Sequence, residues 1–398
     1  MSDFGKTAMS GLNAANAHLQ TTANNLANAS TFGYKRQSAQ FSAMFTSGNN
    51  AMGIGVKTDD ITTDFTTGTM NTTGDELHHA IVGDGFFIVN STDGGQKLTR
   101  VGLFEFAPDN YLVDANGNRV QGYLEDGSAG ITTDIYLDKS PLQPITSKEG
   151  TLDVNLGSDP TGTTSLTSSM SVYDSIGKEH DLQIKFSNKV TDPATGEAKW
   201  EIDATVGGKP LTLTPNTVHF DASGQIKPDE GALAGGKLDL DLSTLTPKIF
   251  GVPSLSVDLS QSTGYESDTS IRSQRLDGNP VSEFEKYQIE DDGKIVAYYK
   301  DGRANPIGQL ALASVDNMDG LIPENGSYFS VTTDAGELRY GRSGMAGFGS
   351  VTPGVIEGSN VNTSAELVNL IEGQRNFQAA SKVIGTSKEL NQALNQAV

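Results

Sequence analysis

Residues 4–26 read FGKTAMSGLNAANAHLQTTANNL, and within them Phe4, Ala8, Leu12, Ala15, Leu19, Ala23 and Leu26 recur at spacings of four and three. That spacing lays them along one stripe of an α-helix, with Asn, Thr, Gln and Ser filling most of the remaining positions. No proline interrupts the stretch. All 14 prolines fall between Pro108 and Pro353, so both ends of the chain lack the residue that most strongly breaks helices. At the far end Thr363-Ser364-Ala365-Glu366 carries a capping-box pattern, in which the Thr hydroxyl and the Glu carboxylate satisfy otherwise orphaned backbone N–H groups. Leu370, Phe377 and Ile384 then follow at seven-residue spacing, and Leu367 and Leu394 extend the seam. The pattern suits a packed or coiled helix, about 50 Å long if it continues through the last residue.

Between the ends the texture changes to short alternating stretches: Leu182, Ile184 and Phe186; Trp200, Ile202, Ala204 and Val206; Leu238, Leu240 and Leu242; Leu255, Val257 and Leu259. Period two means strands with one buried face. Asp-Gly and Asn-Gly dipeptides punctuate them, Asn116-Gly117 and Asn325-Gly326 among others, and supply the positive φ of tight hairpins. The fold class is therefore mainly β with terminal α-helices. Stretches rich in Pro, Thr, Ser and Gly at 140–162 and 260–280 divide the body and mark the segment between them as an insertion. The resulting expectation is a nested, discontinuous set. Residues 1–70 with 359–398 form a helical, coiled-coil-like inner domain with its connector, 71–143 with 281–358 a middle β-domain, and 144–280 an inserted outer β-domain.

The 398 residues are enough for two to four domains. The net charge is −21, yet residues 1–50 carry three basic groups against one acidic and residues 359–398 carry three of each, leaving −23 on the middle. An acidic body repels phosphates and anionic lipid heads, so neither nucleic acid nor a membrane is an expected partner, whereas neutral ends are free to pack against copies of themselves. With no Cys there are no disulfides, thiolate zinc sites or cysteine nucleophiles. No run approaches the roughly 20 apolar residues that span a bilayer, and the start lacks the pattern of a cleaved signal peptide.

Catalytic motifs fail one by one. Gly5-Lys6-Thr7 imitates the end of a phosphate-binding loop without the upstream glycine or a preceding strand. Gly-x-Ser-x-Gly does not occur. His78 and His79 are adjacent, so on a strand their rings point to opposite faces and do not converge on one metal. Asp114, Asn116 and Asn118 begin like a calcium loop, but Arg119 stands where the sharp turn needs Gly, and a hairpin loop explains them better. Gly341, Gly344, Gly347 and Gly349 read as a flexible connector. The many carboxylates read as a solvated surface, although a pair of them at the right separation is all that glycoside hydrolysis needs. The expectation is no catalytic residue, no cofactor and no metal.

Both ends also carry longer motifs. Ser10-Gly11-Leu12-Asn13-Ala14-Ala15, Ala23-Asn24-Asn25-Leu26-Ala27-Asn28 and Thr31-Phe32-Gly33-Tyr34-Lys35 resemble the N-terminal signature of flagellar rod, hook and hook-associated proteins. Glu357-Gly358-Ser359-Asn360-Val361-Asn362, Glu366-Leu367-Val368 and Gln374-Arg375-Asn376-Phe377-Gln378-Ala379 resemble the C-terminal signature of that family, and Gly83-Asp84-Gly85-Phe86-Phe87 resembles a stretch near the start of its first β-domain. The resemblance implies a structural subunit whose terminal helices form the inner tube of a hollow polymer, exported by the flagellar type III apparatus without a cleaved signal. Its implied partners are further copies of itself, the distal rod protein, the hook cap and the hook–filament junction protein. Size favours a hook subunit, since rod subunits generally lack a large outer domain. The alternatives are a distal rod subunit or, from another class, a secreted adhesin or glycan-active enzyme. Assembly is expected to rest on Phe4, Leu12, Leu19, Leu26, Leu367, Leu370, Phe377, Ile384 and Leu394, with Asn24, Asn25, Asn28, Gly33, Tyr34, Gln374 and Arg375 as motif positions.

Overall fold

The structure, a computed structural model, describes residues 3–45, 53–91, 94–125, 132–157, 164–192, 194–213, 216–227, 233, 236–243 and 250–397. The chain is mainly β-sheet with one long helix at each end, α1 (Asp3–Ala27) and α2 (Thr363–Ala397). It divides into two compact units: residues 1–138, 286–297 and 304–398 make one, and residues 139–285 and 298–303 the other.

In the second unit two sheets enclose a single core. One sheet runs Thr212–Leu213, Lys237–Asp241, Ser254–Asp258, Glu149–Asn155, Ser270–Leu276, and the other is built from Leu166–Tyr173, Glu179–Thr191, Ala198–Val206, Lys209–Pro210 and Thr217–Phe220. Every alternating apolar set named above faces inward: Leu182, Ile184, Phe186, Trp200, Ile202, Ala204, Val206, Leu238, Leu240, Leu242, Leu255, Val257 and Leu259 all join this core. The polar residues between them stay outside, which is what a sheet covered on one face demands.

The sheet of the first unit is covered on both faces. Its central path runs Ala304–Ser314, Arg119–Leu124, Phe86–Asn90, Gln96–Thr99, Tyr328–Val331, Leu321–Glu324. Phe87 and Val89 enter one hydrophobic cluster with Ile81, Leu112, Val120, Leu310 and Leu312, while Phe86 and Ile88 enter another with Leu98, Tyr123, Ala311, Ala313 and Phe329. A strand buried on both sides shows no alternation, and Phe86-Phe87-Ile88-Val89 is accordingly an unbroken apolar run. At Asp114 the chain makes a hairpin loop, with Asp114 Oδ1 accepting the N–H groups of Asn116 and Asn118, both at 2.9 Å. The glycines at 341–349 form a hydrogen-bonded loop instead of a free connector. Gly344 N donates to Gly349 O, Gly349 N donates to Asp84 O, and the Phe348 ring lies so close to Gly341 that an added Cβ would meet it at 2.2 Å. The sequence suggests a second flexible link at Thr46 to Gly55, of which residues 46–52 lie outside the described residues.

Two short ribbons lead from this sheet toward the helices, His79–Val82 paired with Ser350–Pro353 and Met70–Thr72 paired with Val355–Glu357. Strands β1 (Gln37–Phe45) and β2 (Gly53–Thr63) form an antiparallel hairpin that lies on α1. Val56 N donates to Ser10 Oγ at 3.2 Å and Thr7 Oγ1 donates to Ile54 O at 3.2 Å.

Candidate functional site

The two terminal signatures, more than 300 positions apart in sequence, meet in one polar junction. Lys35 Nζ lies 2.7 Å from Glu357 Oε1, and Arg100 Nη1 lies 3.5 Å from Glu357 Oε2; all three side chains are at most 1 % exposed. Glu357 Oε1 also accepts the Gly68 N–H at 2.8 Å, and Lys35 Nζ donates to Thr66 O at 2.8 Å. Arg100 sits 5.2 Å from the centre of the Phe86 ring, a cation–π contact. Burial pulls the Lys35 ammonium below the usual lysine range in spite of its Glu357 partner, and it pulls Arg100 down as well. Burying ions is costly, so a carboxylate between two cations serves here as a fixed joint, and its loss would strand both charges.

A second ionic pair ties α2 to the same place. Arg36 Nε lies 2.7 Å from Glu366 Oε1, and the Glu366 side chain is 1 % exposed. Asn25, also buried, donates from Nδ2 to Gln37 O at 2.7 Å and to Glu366 Oε2 at 3.4 Å, while its Oδ1 accepts from Gln37 N at 2.9 Å and from the Tyr34 hydroxyl at 3.1 Å. Burial, with the Glu366 carboxylate nearby, pushes the Tyr34 phenol up. Asn24 Nδ2 donates to Tyr34 Oη at 3.2 Å, and Asn28 Nδ2 donates to Asn24 O at 3.0 Å. Gly33 is held with φ +66°, its N–H donating to Glu357 O at 2.9 Å. A Cβ there would stand 2.5 Å from Val101 Cγ2, so both backbone conformation and space call for glycine. Asn24, Asn25, Asn28, Gly33 and Tyr34 are thus brought together with Lys35, Glu357 and Glu366.

The capping-box expectation at the start of α2 needs correction. Asn362 is the cap, with its Oδ1 accepting the Ala365 N–H at 3.1 Å, and the Glu366 carboxylate turns instead to Arg36 and Asn25. A carboxylate offered a guanidinium and a carboxamide inside the fold gains more there than at one exposed backbone amide.

Along α2 the residues that face inward are Glu366, Gly373 and Ser387, with Leu370, Ala380 and Ile384 half-buried between them. Alternating spacings of four, three and seven make this a heptad seam against α1. The helices pack tightly at Gly373, where an added Cβ would lie 2.9 Å from Leu19 Cδ2. Leu12, Leu19 and Leu26 are half-buried on α1, whose fully buried positions are Ala15, Thr21, Thr22 and Asn25. Thr21 answers its burial by donating to Ala17 O at 2.9 Å. Other apolar residues of α2 point away from the seam: Leu367, Val368 and Ile371 are 48, 63 and 57 % exposed, and Phe377, at 37 %, lies at its edge. Val368, Ile371, Glu372, Arg375, Asn376 and Ala379 line a shallow groove on that face, and Gln374 is exposed too. The side chains of Phe4 and Leu394 lie outside those described. Sequence reasoning missed Arg36 and Arg100 altogether: Arg36 directly follows the Phe32-Gly33-Tyr34-Lys35 motif and was within reach, whereas nothing near Arg100 signals that it is buried.

With this geometry in place, comparison with known proteins is direct. Residues 6–35 match the family model of the flagella basal body rod protein, 80–164 the flagellar hook protein FlgE/F/G D1 domain, 137–279 the flagellar basal body protein FlaE D2 domain, and 352–397 the flagellar basal body rod FlgEFG protein C-terminal region. The flagellar hook protein FlgE of Rhizobium meliloti is 35 % identical, with 98 % of this chain and 97 % of that protein covered. The Escherichia coli protein of the same name is 32 % identical over 96 % of this chain and 97 % of its own length. Among solved structures, flagellar hook protein FlgE2 of Helicobacter pylori superposes with a TM-score of 0.52 at 14 % identity, covering 72 % of this chain and 100 % of that one, a likeness of fold.

Proposed function

This chain belongs to the flagellar hook protein family and is a structural subunit of the bacterial flagellar hook, and we propose that its copies polymerise through the terminal helices into a hollow, bendable tube. The tube transmits motor torque to the filament and carries the export channel. The observation that carries this reading is the division of labour on α2. One side is spent on the seam with α1, while Leu367, Val368 and Ile371 remain exposed on another. Each large apolar side chain buried by a neighbour is worth about 1.5–3 kcal/mol, so several per copy suffice to drive association. The occupant of the Val368–Ala379 groove is a second copy, and head-to-tail repetition of such a contact gives a non-closing helical array.

In this reading the helices with their connector act as the inner domain (1–70 with 359–398), while 71–143 with 281–358 and the inserted 144–280 form successive outer shells whose mutual sliding accommodates bending. The chain reaches its place through the flagellar type III apparatus without a cleaved signal, meets the distal rod protein below and the junction protein above, grows under the hook cap, and catalyses nothing.

Electron microscopy of polymer grown from the purified chain, beside a variant lacking residues 1–70 and 359–398, tests this. Curved hollow tubes from the full chain alone are expected. Straight tubes would indicate a rod-like subunit, and polymer from both proteins would remove the helices from the mechanism.

A further inference from the structure

The chain contains two Asn-Gly pairs, Asn116-Gly117 and Asn325-Gly326, and the fold sets them side by side: a Cβ added at Gly326 would lie 3.2 Å from Asn116 Nδ2. In such a pair the asparagine side chain is open to attack by the following backbone nitrogen, because glycine puts no Cβ across the approach. The two sites hold their reacting atoms very differently. At the first, the Gly117 N–H donates to Asp114 O at 3.0 Å, the Asn116 N–H donates to Asp114 Oδ1 at 2.9 Å, and Asn116 Nδ2 donates to the Tyr328 hydroxyl at 2.7 Å. Nucleophile and leaving group are both committed. Asn325 and Gly326 are exposed at the tip of the hairpin between Leu321–Glu324 and Tyr328–Val331, and neither the Gly326 N–H nor the Asn325 amide donates a hydrogen bond among the described residues.

We propose that Asn325 is a site of spontaneous deamidation, and that the Asp114–Tyr328 network shields Asn116 from the same reaction. The Gly326 backbone nitrogen gives up its proton to solvent and bonds to Asn325 Cγ. The Cγ–Nδ2 bond breaks, Nδ2 takes up a proton and leaves as ammonia, and a succinimide ring remains. Water then adds to one of the two ring carbonyls and opens the ring to aspartate or isoaspartate; one water is consumed, one ammonia is released, and no redox partner is required. The new carboxylate appears beside Glu324, on a groove that Asn24, Asn28 and Tyr34 of the N-terminal motif also line. The modification therefore changes the charge of the surface next to the junction of the two signatures.

The test is peptide mapping by mass spectrometry of the full-length chain held folded at mildly alkaline pH. The Asn325 peptide should acquire the mass change of amide-to-acid exchange and split into aspartate and isoaspartate forms roughly tenfold faster than the Asn116 peptide, a factor equal to about 1.4 kcal/mol of protection. Tyr328→Phe should raise the rate at Asn116 severalfold, and in concentrated urea the two rates should converge. Equal rates in the folded chain, faster conversion at Asn116, no conversion at Asn325, or a gap that survives urea and so stems from flanking sequence alone, would each overturn the assignment.

Discussion

At Glu357 a single carboxylate pairs with both Lys35 and Arg100 in a space from which solvent is almost wholly excluded. Glu357→Gln keeps the shape and removes the charge, so two buried cations are left uncompensated. A loss of about 3–5 kcal/mol is expected in urea unfolding, and adding Lys35→Met should recover part of it, because removing a cation as well relieves the stranded charge. A cost within measurement error would show that the cluster is ornamental to stability. His79 makes a second residue-level case. Its ring is fully buried, Nδ1 donates to Leu77 O at 2.9 Å, Nε2 has no partner among the described residues, and burial lowers its pKa from 6.5 to about 4. The unfolded chain therefore binds the proton first as pH falls. Stability is full above pH 6.5 and declines toward pH 4, by about 3 kcal/mol over the window. His79→Phe should flatten that part of the stability curve, which denaturation midpoints at successive pH values would reveal.

The elements show what could be read in advance and what could not. The inner-facing residues of the second unit were legible in their alternation, since a sheet with one buried face writes its core directly into sequence. The sevens of the α2 sequence pointed to Leu370 and Ile384 on the seam, but Phe377 and Leu367, expected there too, are 37 and 48 % exposed, and nothing announced that Glu366 heads it, because a buried charge is specified by its partner and Arg36 lies far away in sequence. Nor did the apolar stripe of α1 disclose that Thr21, Thr22 and Asn25 are its most enclosed positions; Thr21 and Asn25 meet their burial with hydrogen bonds to Ala17, Gln37 and Tyr34. The two sides of α2 can be separated experimentally. Gly373→Val drives a side chain into Leu19 and His18, and overpacking of that kind costs about 1–3 kcal/mol, visible as lost helical circular dichroism on mild heating. Ile371→Asp lies on the exposed side, so the monomer's stability should change by no more than about 0.5 kcal/mol while sedimentable polymer disappears. Polymerisation of Ile371→Asp at the normal level would place the contact between copies elsewhere.

At the scale of the whole molecule the charge is unevenly distributed, with −23 on residues 51–358 of a chain whose net charge is −21. A polymer brings many such bodies together, and their mutual repulsion opposes whatever the terminal helices gain. Salt weakens this opposition: the Debye length falls from about 30 Å at 0.01 M to about 8 Å at 0.15 M. Apolar contact between helices is little affected over that range. The critical concentration for polymerisation, measured by sedimentation, should therefore fall as salt rises. In a variant lacking residues 146–278 the response should be weaker, because that segment carries −8 of the −23 and neither helix. If salt instead raises the critical concentration of the full chain, attraction between charged groups such as Glu372 and Arg375 of neighbouring copies dominates the contact, and the apolar side chains of α2 are secondary to it.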